Sequence, residues 1–111
     1  MKQVSRIIDV GQTETLSFSL NESTLTGFTA GSSITGSKIS FLVSIDNENY
    51  YSLFDKDTEV TVITGSYNRA YALDHTLFYS WKQVKLQLGD SASAIAQETD
   101  PLSIVFSLRE Y

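Results

Sequence analysis

Carboxylates are the side chains best placed to do chemistry in this sequence. Asp55, Asp57 and Glu59 occupy alternate positions, which is the odd-position spacing of a calcium-binding loop. Such a loop has glycine at its sixth position, and Val60 stands there instead. We therefore expect these carboxylates to be solvated turn residues, with no metal site and no cofactor.

Other catalytic groups are scarce. The chain has one histidine, His75, and no cysteine, which excludes a thiol nucleophile, cysteine-ligated metals and any site needing two histidines from one chain. No Gly-x-Ser-x-Gly nucleophile elbow occurs, and the glycines do not form a phosphate-binding loop. The sequence predicts no catalytic residues and a protein that is not an enzyme.

The charge balance argues against nucleic acid as a partner. Thirteen acidic and eight basic residues give a net charge of −5, and the basic residues do not cluster. Affinity for phosphate backbones comes largely from Lys and Arg. No apolar run is long enough for a signal peptide or a membrane-spanning helix. We expect no nucleic-acid or membrane partner and a chain made in a cytoplasm.

Aromatic residues are the remaining candidates for recognition, at 12% of the chain. In the adjacent pair Tyr50 and Tyr51, strand alternation places one ring outside. An exposed ring could stack on a sugar or fill a protein interface. The alternative is that most rings lie at the core with a hydrated hydroxyl. A glycan therefore stays open as a ligand.

The elements that position these residues are strands, because apolar and polar residues alternate. In residues 38–46 one face collects four apolar residues: Ile39, Phe41, Val43 and Ile45. Residues 14–20 place Leu16, Phe18 and Leu20 on one face in the same way. The same period recurs in 59–64, 82–88 and 101–108. One apolar and one polar face indicate antiparallel sheets that are hydrated on one side.

Turn-forming residues separate the strands, notably in 46–49 and 55–58. Eight or nine short strands, spaced by about ten residues, predict a single all-β domain over 1–111, a sandwich or a barrel. Residues 1–12 form either an arm that orders on a neighbour or an edge strand of their own sandwich. Residues 21–37 read as a loop with at most a short strand at 25–29.

One segment departs from the strand pattern. Asp74 is expected to cap a single helical turn. Leu77 or Phe78, together with Trp81, would then close an open end of the sandwich.

Two apolar residues interrupt the polar strand faces, Leu42 and Val105, and Ile63 is a third candidate. A single exposed apolar residue needs no explanation, but several on one sheet would form an adhesive patch. Such a patch would indicate a partner or a homo-oligomer. The candidate interaction residues are Leu42, Tyr50, Tyr51 and Val105.

Three stretches, in order, carry a resemblance to a known family. The first is 34–46 followed by Tyr50-Tyr51-Ser52-Leu53-Phe54-Asp55. The second is Arg69-Ala70-Tyr71-Ala72-Leu73-Asp74 with Phe78, Trp81 and Val84-Lys85-Leu86. The third is Ser91-Ala92-Ser93-Ala94, Gln97 and a last strand ending Leu108-Arg109-Glu110-Tyr111. From about residue 14 onward, this series resembles small jelly-roll-like β-sandwich structural proteins of tailed bacteriophages, of the head decoration (cement) or head-fibre type. Asp46-Asn47 stands where many such proteins have Asp-Gly.

The resemblance implies an antiparallel jelly-roll-like β-sandwich and a non-enzymatic virion protein, assembled in the bacterial host cytoplasm. The role it implies first is a capsid decoration or cement protein that binds and stabilises the shell. The partners would be the major capsid protein or other virion proteins, with the chain itself a trimer or dimer. The alternatives are a neck, tail or fibre component, or a carbohydrate-binding module for host adhesion. The family brings no catalytic or ligand-binding residues with it.

Overall fold

The computed structural model describes residues 2–31, 34–64, 69–90, 93–98 and 100–110. Ser91, Ala92 and Tyr111, which belong to the resemblance, lie outside the described residues. Eleven strands and one 3₁₀ helix follow one another along the described part: β1 (Lys2–Ile8), β2 (Phe18–Ser19), β3 (Ser23–Ala30), β4 (Lys38–Ser44), β5 (Tyr51–Ser52), β6 (Phe54–Asp55), β7 (Thr58–Glu59), β8 (Thr61–Ile63), β9 (Arg69–Ala72), the helix (His75–Phe78), β10 (Gln83–Gly89) and β11 (Leu102–Glu110).

The strands form two main sheets that pack face to face. Sheet I has the order β1-β11-β3-β9, and sheet II has the order β2-β10-β4-β5, with β8 pairing the other end of β4. Every registered pair is antiparallel. Apart from β5–β8, successive strands alternate between the sheets, which is the jelly-roll arrangement. The predicted all-β jelly-roll sandwich is confirmed.

The strand count differs from the expected eight or nine because the two strands expected on either side of the 55–58 turn are each broken in two. Residues 51–63 form four short strands, two of which pair with β4 while β6 and β7 pair with each other. Lys2–Ile8, the larger part of the segment that sequence leaves between arm and edge strand, pairs with β11 at the edge of sheet I.

One hydrophobic core lies between the sheets and is built on phenylalanine. Phe18 of sheet II meets Phe106 of sheet I with ring centroids 4.5 Å apart. Phe28 contacts Phe41 across the sandwich at 6.1 Å. Both inner faces are thus apolar, as the period of two predicts.

The predicted helical turn is present and closes one end of this core. Asp74 Oδ1 accepts a hydrogen bond from the Thr76 backbone N–H at 3.1 Å, which caps the 3₁₀ helix. The turn inserts Phe78, which is fully buried and packs edge-on against Phe41 at 5.4 Å. Leu77 and Trp81 pack at the margin of the core.

Two residues predicted to face the core are instead exposed. Ile45 is 59% exposed because β4 ends at Ser44, where the turn begins. Leu16 is 78% exposed because Thr15 takes the inward position. Thr15 N–H donates to the Leu86 carbonyl, and Thr15 Oγ1 accepts from the Leu86 N–H at 3.1 Å. The hydroxyl replaces a backbone acceptor and shifts the alternation before β2 begins.

The turn at 46–49 connects β4 to β5 as expected. Its geometry explains why Asp46-Asn47 can stand where many similar proteins have Asp-Gly. Asn47 has φ 66°, a left-handed conformation that asparagine tolerates better than most residues with a side chain. Asp46 Oδ1 accepts hydrogen bonds from the backbone N–H groups of Glu48 and Asn49, both at 2.9 Å. Asparagine therefore supports the turn where glycine is usual.

The 3₁₀ helix is four residues long. In the part of the chain that the structure describes, no helix has the length and apolar character needed to cross a bilayer.

Candidate functional site

Val105 lies at the centre of the outer face of sheet I. It is registered between Ser5 on β1 and Thr29 on β3, and Thr29 is registered with Ala70 on β9. Directly paired residues point to the same side of a sheet. The register therefore places a set of small or uncharged residues around Val105: Gln3, Ser5, Ile7, Gly27, Thr29, Ala70, Ala72, Ser103 and Ser107.

This outer face differs from an ordinary protein surface in its charge. Among the described residues that the register places there, Arg109 at one end is charged and none is acidic, although the chain has 13 acidic residues. Closing a partner against such a face removes almost no charge from water and immobilises few long side chains. Depletion of charge is also the compositional mark of an interface core.

The outer face of sheet II has the opposite character. Lys85 Nζ lies 3.1 Å from Glu14 Oε1, and Lys38 Nζ lies 3.3 Å from Glu59 Oε1. Leu42 is half-buried in this face, registered between Ser52 and Lys85. Leu42 and Val105 therefore lie on opposite sides of the sandwich and do not form one patch.

The two adjacent tyrosines, Tyr50 and Tyr51, lie in different surroundings. Tyr51 is registered with Val43, whose side chain faces the core, but it lies at the edge of sheet II and is 68% exposed. Tyr50 is half-buried, with Lys85 Nζ 4.2 Å from its ring centroid in a cation–π contact. Tyr50 and Lys85 line a groove of about 660 Å³ together with Glu14 and the exposed Leu16.

A second concavity has no counterpart among the sequence-predicted sites. This cleft, of about 420 Å³, lies beside the 3₁₀ helix and is lined by Tyr79, Trp81 and side chains from two turns, among them Asn21 and Asn47. The one sign of this cleft in the sequence is the pair of aromatic residues, Tyr79 and Trp81, next to the predicted helical turn. The sequence does not show that the turns containing Asn21 and Asn47 lie beside them.

The two carboxylates whose pKa is lowered, Asp46 and Asp74, each hold a turn of the backbone. Hydrogen bonds from the backbone N–H groups of Asn49 and Glu48 hold the pKa of Asp46 well below its usual range. The Thr76 hydroxyl and backbone N–H lower the pKa of Asp74 in the same manner. Both groups stabilise local backbone.

The carboxylates with calcium-loop spacing are not gathered into a cage. Asp55 and Asp57 are exposed in the β6–β7 hairpin, and Glu59 is paired with Lys38. Across the described ranges, no group of three or more His, Cys, Asp or Glu side chains is close enough to hold a metal ion.

The molecule is thus a small jelly-roll sandwich with one charged outer face, one nearly charge-free outer face and an aromatic cleft at one end. No protein-family model matches the sequence, and no curated protein matches it. Among solved structures, the SPBc2 prophage-derived protein YomS has a TM-score of 0.51 at 9% identity, covering 98% of this chain and 96% of that chain. The Drosophila NLP core, whose crystal structure gave insight into pentamer formation and histone binding, has a TM-score of 0.48 at 9% identity, over 99% and 100% of the two chains. The likeness to YomS shows a shared fold with a prophage-derived protein, and identity this low shows the fold alone.

Proposed function

We propose that this chain is a non-enzymatic structural protein of a bacteriophage particle, and specifically a decoration or cement protein bound to the capsid. The observation that carries the proposal is the nearly charge-free outer face of sheet I, centred on Val105. A jelly roll needs both inner faces for its own core, so contact with a partner falls to outer faces, loops and edges. Of the two outer faces, that of sheet I has the lower desolvation free energy, because it carries fewer charges.

Two further observations support a phage setting. The ordered series of stretches resembles small phage sandwich proteins, and the fold is shared with a prophage-derived protein over nearly the whole of both chains. The absence of cysteine also suits the role, since such a protein assembles in a reducing cytoplasm and persists outside the cell without disulfides.

The mechanism of cementing follows from mass action. A protein that binds the assembled shell, and not the separated subunits, stabilises the shell by its binding free energy at every occupied site. Capsids present equivalent sites around symmetry axes, so we propose a trimer or dimer with the face around Val105 turned toward the shell or a neighbouring protomer.

The two outer faces provide a matched test. Val105→Lys places a long charged side chain in the centre of the sheet I face, and Leu42→Lys makes a similar change in the already charged sheet II face. Both residues are half-buried on outer faces, so both variants should fold, which circular dichroism and thermal melting would verify. Binding to capsids that lack the protein would then be measured by co-sedimentation.

The proposal predicts that Val105→Lys weakens capsid binding about tenfold or more, because a buried unpaired charge costs more than about 1.4 kcal/mol. Leu42→Lys should bind like the unaltered protein. Equal binding by both variants, or loss with Leu42→Lys alone, would show that the sheet I face is not the contact.

A further inference from the structure

Beyond any role in a particle, we propose that the cleft beside the 3₁₀ helix is a binding site for a neutral saccharide. Its volume of about 420 Å³ lies in the range of small-molecule sites. Its lining combines two aromatic rings, Tyr79 and Trp81, with amide and hydroxyl side chains. That pairing suits a sugar ring, whose faces carry C–H groups and whose edges carry hydroxyls.

Both rings are held in place by hydrogen bonds between their polar atoms and residues of the 3₁₀ helix. Trp81 Nε1 donates to the Leu77 carbonyl at 3.0 Å. The Tyr79 hydroxyl is hydrogen-bonded to His75 Nδ1 at 2.9 Å. Because these polar atoms are engaged by the helix, the rings contribute mainly aromatic carbon to the cleft. Rings pinned in advance also lose little conformational entropy when a ligand stacks on them.

The amides supply the matching polar groups. Asn21, Asn47 and Gln83 line the cleft, and within the described part of the chain their side-chain amides make no hydrogen bond to protein. An amide offers both donors and an acceptor, and a sugar hydroxyl is both donor and acceptor. Vicinal hydroxyls can therefore be paired without any charge.

The charges at the cleft favour a neutral ligand over an ion. Lys82 and Glu22 both line it and carry opposite charges. A site for a phosphate or carboxylate would need an excess of positive charge, and a site for a cation would need the reverse. The balance here leaves stacking and neutral hydrogen bonds as the source of affinity.

The backbone is also unusual at this place. Asn21, Glu22 and Asn47 have φ values of 40°, 61° and 66°, and they are three of the four non-glycine residues with positive φ in the described chain. Glycine would relieve this conformation, yet a side chain is present at each position. The two asparagines thus place amides in the cleft at some cost in backbone energy.

Trp81 makes the test direct, since it is the single tryptophan of the chain. Its indole N–H gives one resolvable signal in a ¹⁵N-correlated NMR spectrum. The protein would first be screened on an immobilised array of neutral mono- and oligosaccharides that includes bacterial surface glycans. Sugars that bind would then be titrated while the Trp81 indole signal is followed.

Two sets of variants separate recognition from structure. Tyr79→Ala removes an exposed cleft ring, and Tyr51→Ala removes a still more exposed tyrosine ring outside the cleft. Asn21→Gly with Asn47→Gly removes two amides at positions where glycine accepts the backbone conformation, so the fold is preserved.

We expect a neutral saccharide to shift the Trp81 indole signal. Tyr79→Ala and the double glycine variant should each weaken binding about tenfold or more, and Tyr51→Ala should leave it unchanged. The proposal is overturned if no sugar on the array binds, if a bound sugar leaves the Trp81 signal in place, or if Tyr51→Ala weakens binding as much as Tyr79→Ala.

Discussion

At the scale of single residues, Asp46 illustrates how a turn is held by one carboxylate. It accepts hydrogen bonds from two backbone N–H groups and the Asn49 side chain, and the Ser44 hydroxyl donates to it as well. These bonds favour the charged form, so the pKa of Asp46 is lower in the folded than in the unfolded chain. The stabilisation is therefore fully present above the unfolded-state pKa of about 3.9 and is lost as the pH falls through the folded-state pKa.

We predict that Asp46→Asn lowers the melting temperature at pH 7, because a neutral amide accepts these bonds less strongly. The gap to the unaltered protein should narrow only below about pH 4. Melting followed by circular dichroism between pH 7 and pH 2 would check this, with the exposed neighbour Glu48→Gln as the control. A gap at pH 7 that is equal for both variants would contradict the assignment.

Glycine at position 36 is required by both conformation and space. Gly36 has φ +97°, and a Cβ built there would lie 2.6 Å from the Gly89 carbonyl oxygen. Gly11 has a similar φ of +90° but open space around it. The pair therefore separates the backbone cost from the steric cost.

We predict that Gly36→Ala destabilises the fold by about 2–4 kcal/mol, the sum of a left-handed backbone term and an overpacking term. Gly11→Ala should cost about 1–2 kcal/mol, the backbone term alone. Urea unfolding of the two variants measures the difference directly. Equal losses would mean that the chain around Gly89 yields without cost.

At the scale of elements, Gln97 ties three connections together. Its side chain is buried, accepts from the Thr35 N–H at 3.1 Å and donates to the Asp100 carbonyl at 2.8 Å. Its backbone exchanges hydrogen bonds with Gly11 and Gln12 in the β1–β2 connection. The long loop before β11 is thus anchored by one amide, although its sequence is composed of small and polar residues.

We predict that Gln97→Ala costs about 1–3 kcal/mol, because it removes two hydrogen bonds made by a buried side chain, at about 0.5–1.5 kcal/mol each. Gln87→Ala is the matched control, since Gln87 is half-buried and its side chain donates a longer hydrogen bond, of 3.4 Å, to Glu14. That control should lose less than about 1 kcal/mol. Chemical denaturation that ranks the two variants the other way would refute the anchoring role.

Some strands could be predicted from the sequence alone and one central strand could not. The alternation in β4, β10 and β11 predicted their inner faces because each has a strongly apolar side. β3 was expected as at most a short strand in a loop, yet it spans Ser23–Ala30 in the middle of sheet I. Its Thr and Gly residues weaken the alternation, and Gly27 and Thr29 form part of the nearly charge-free outer face. The small, uncharged residues that made β3 hard to predict are therefore the same residues that keep charge off the outer face of sheet I.

The candidate sites show the same limit. Strand period placed Val105 and Leu42 on outer faces, but it could not say that they belong to opposite sheets. The cleft lined by Tyr79, Trp81, Asn21 and Asn47 is assembled from segments up to 60 residues apart, the residues that follow the helix and two turns. Contacts between such segments follow from topology and register, which local patterns do not specify.

At the scale of the whole molecule, the proposed function requires that the sandwich bind a larger assembly through one outer face. If the protein cements a shell, particles stripped of it should lose heat and pressure resistance and regain both when it is added back, because binding at many equivalent sites raises the free energy of rupture. Val105→Lys should fail to restore resistance, and Leu42→Lys should restore it.

Decoration of the capsid is tested most directly by counting the copies of this chain in each purified virus particle. Quantitative mass spectrometry would compare this chain with the major capsid protein in particles from the host that carries the gene. A decoration protein should be present in hundreds of copies, in a simple ratio to the capsid subunit, because it occupies symmetric sites over the whole shell. A few to a few tens of copies would contradict decoration and indicate a neck, tail or fibre component, and complete absence would contradict a structural role in the virion.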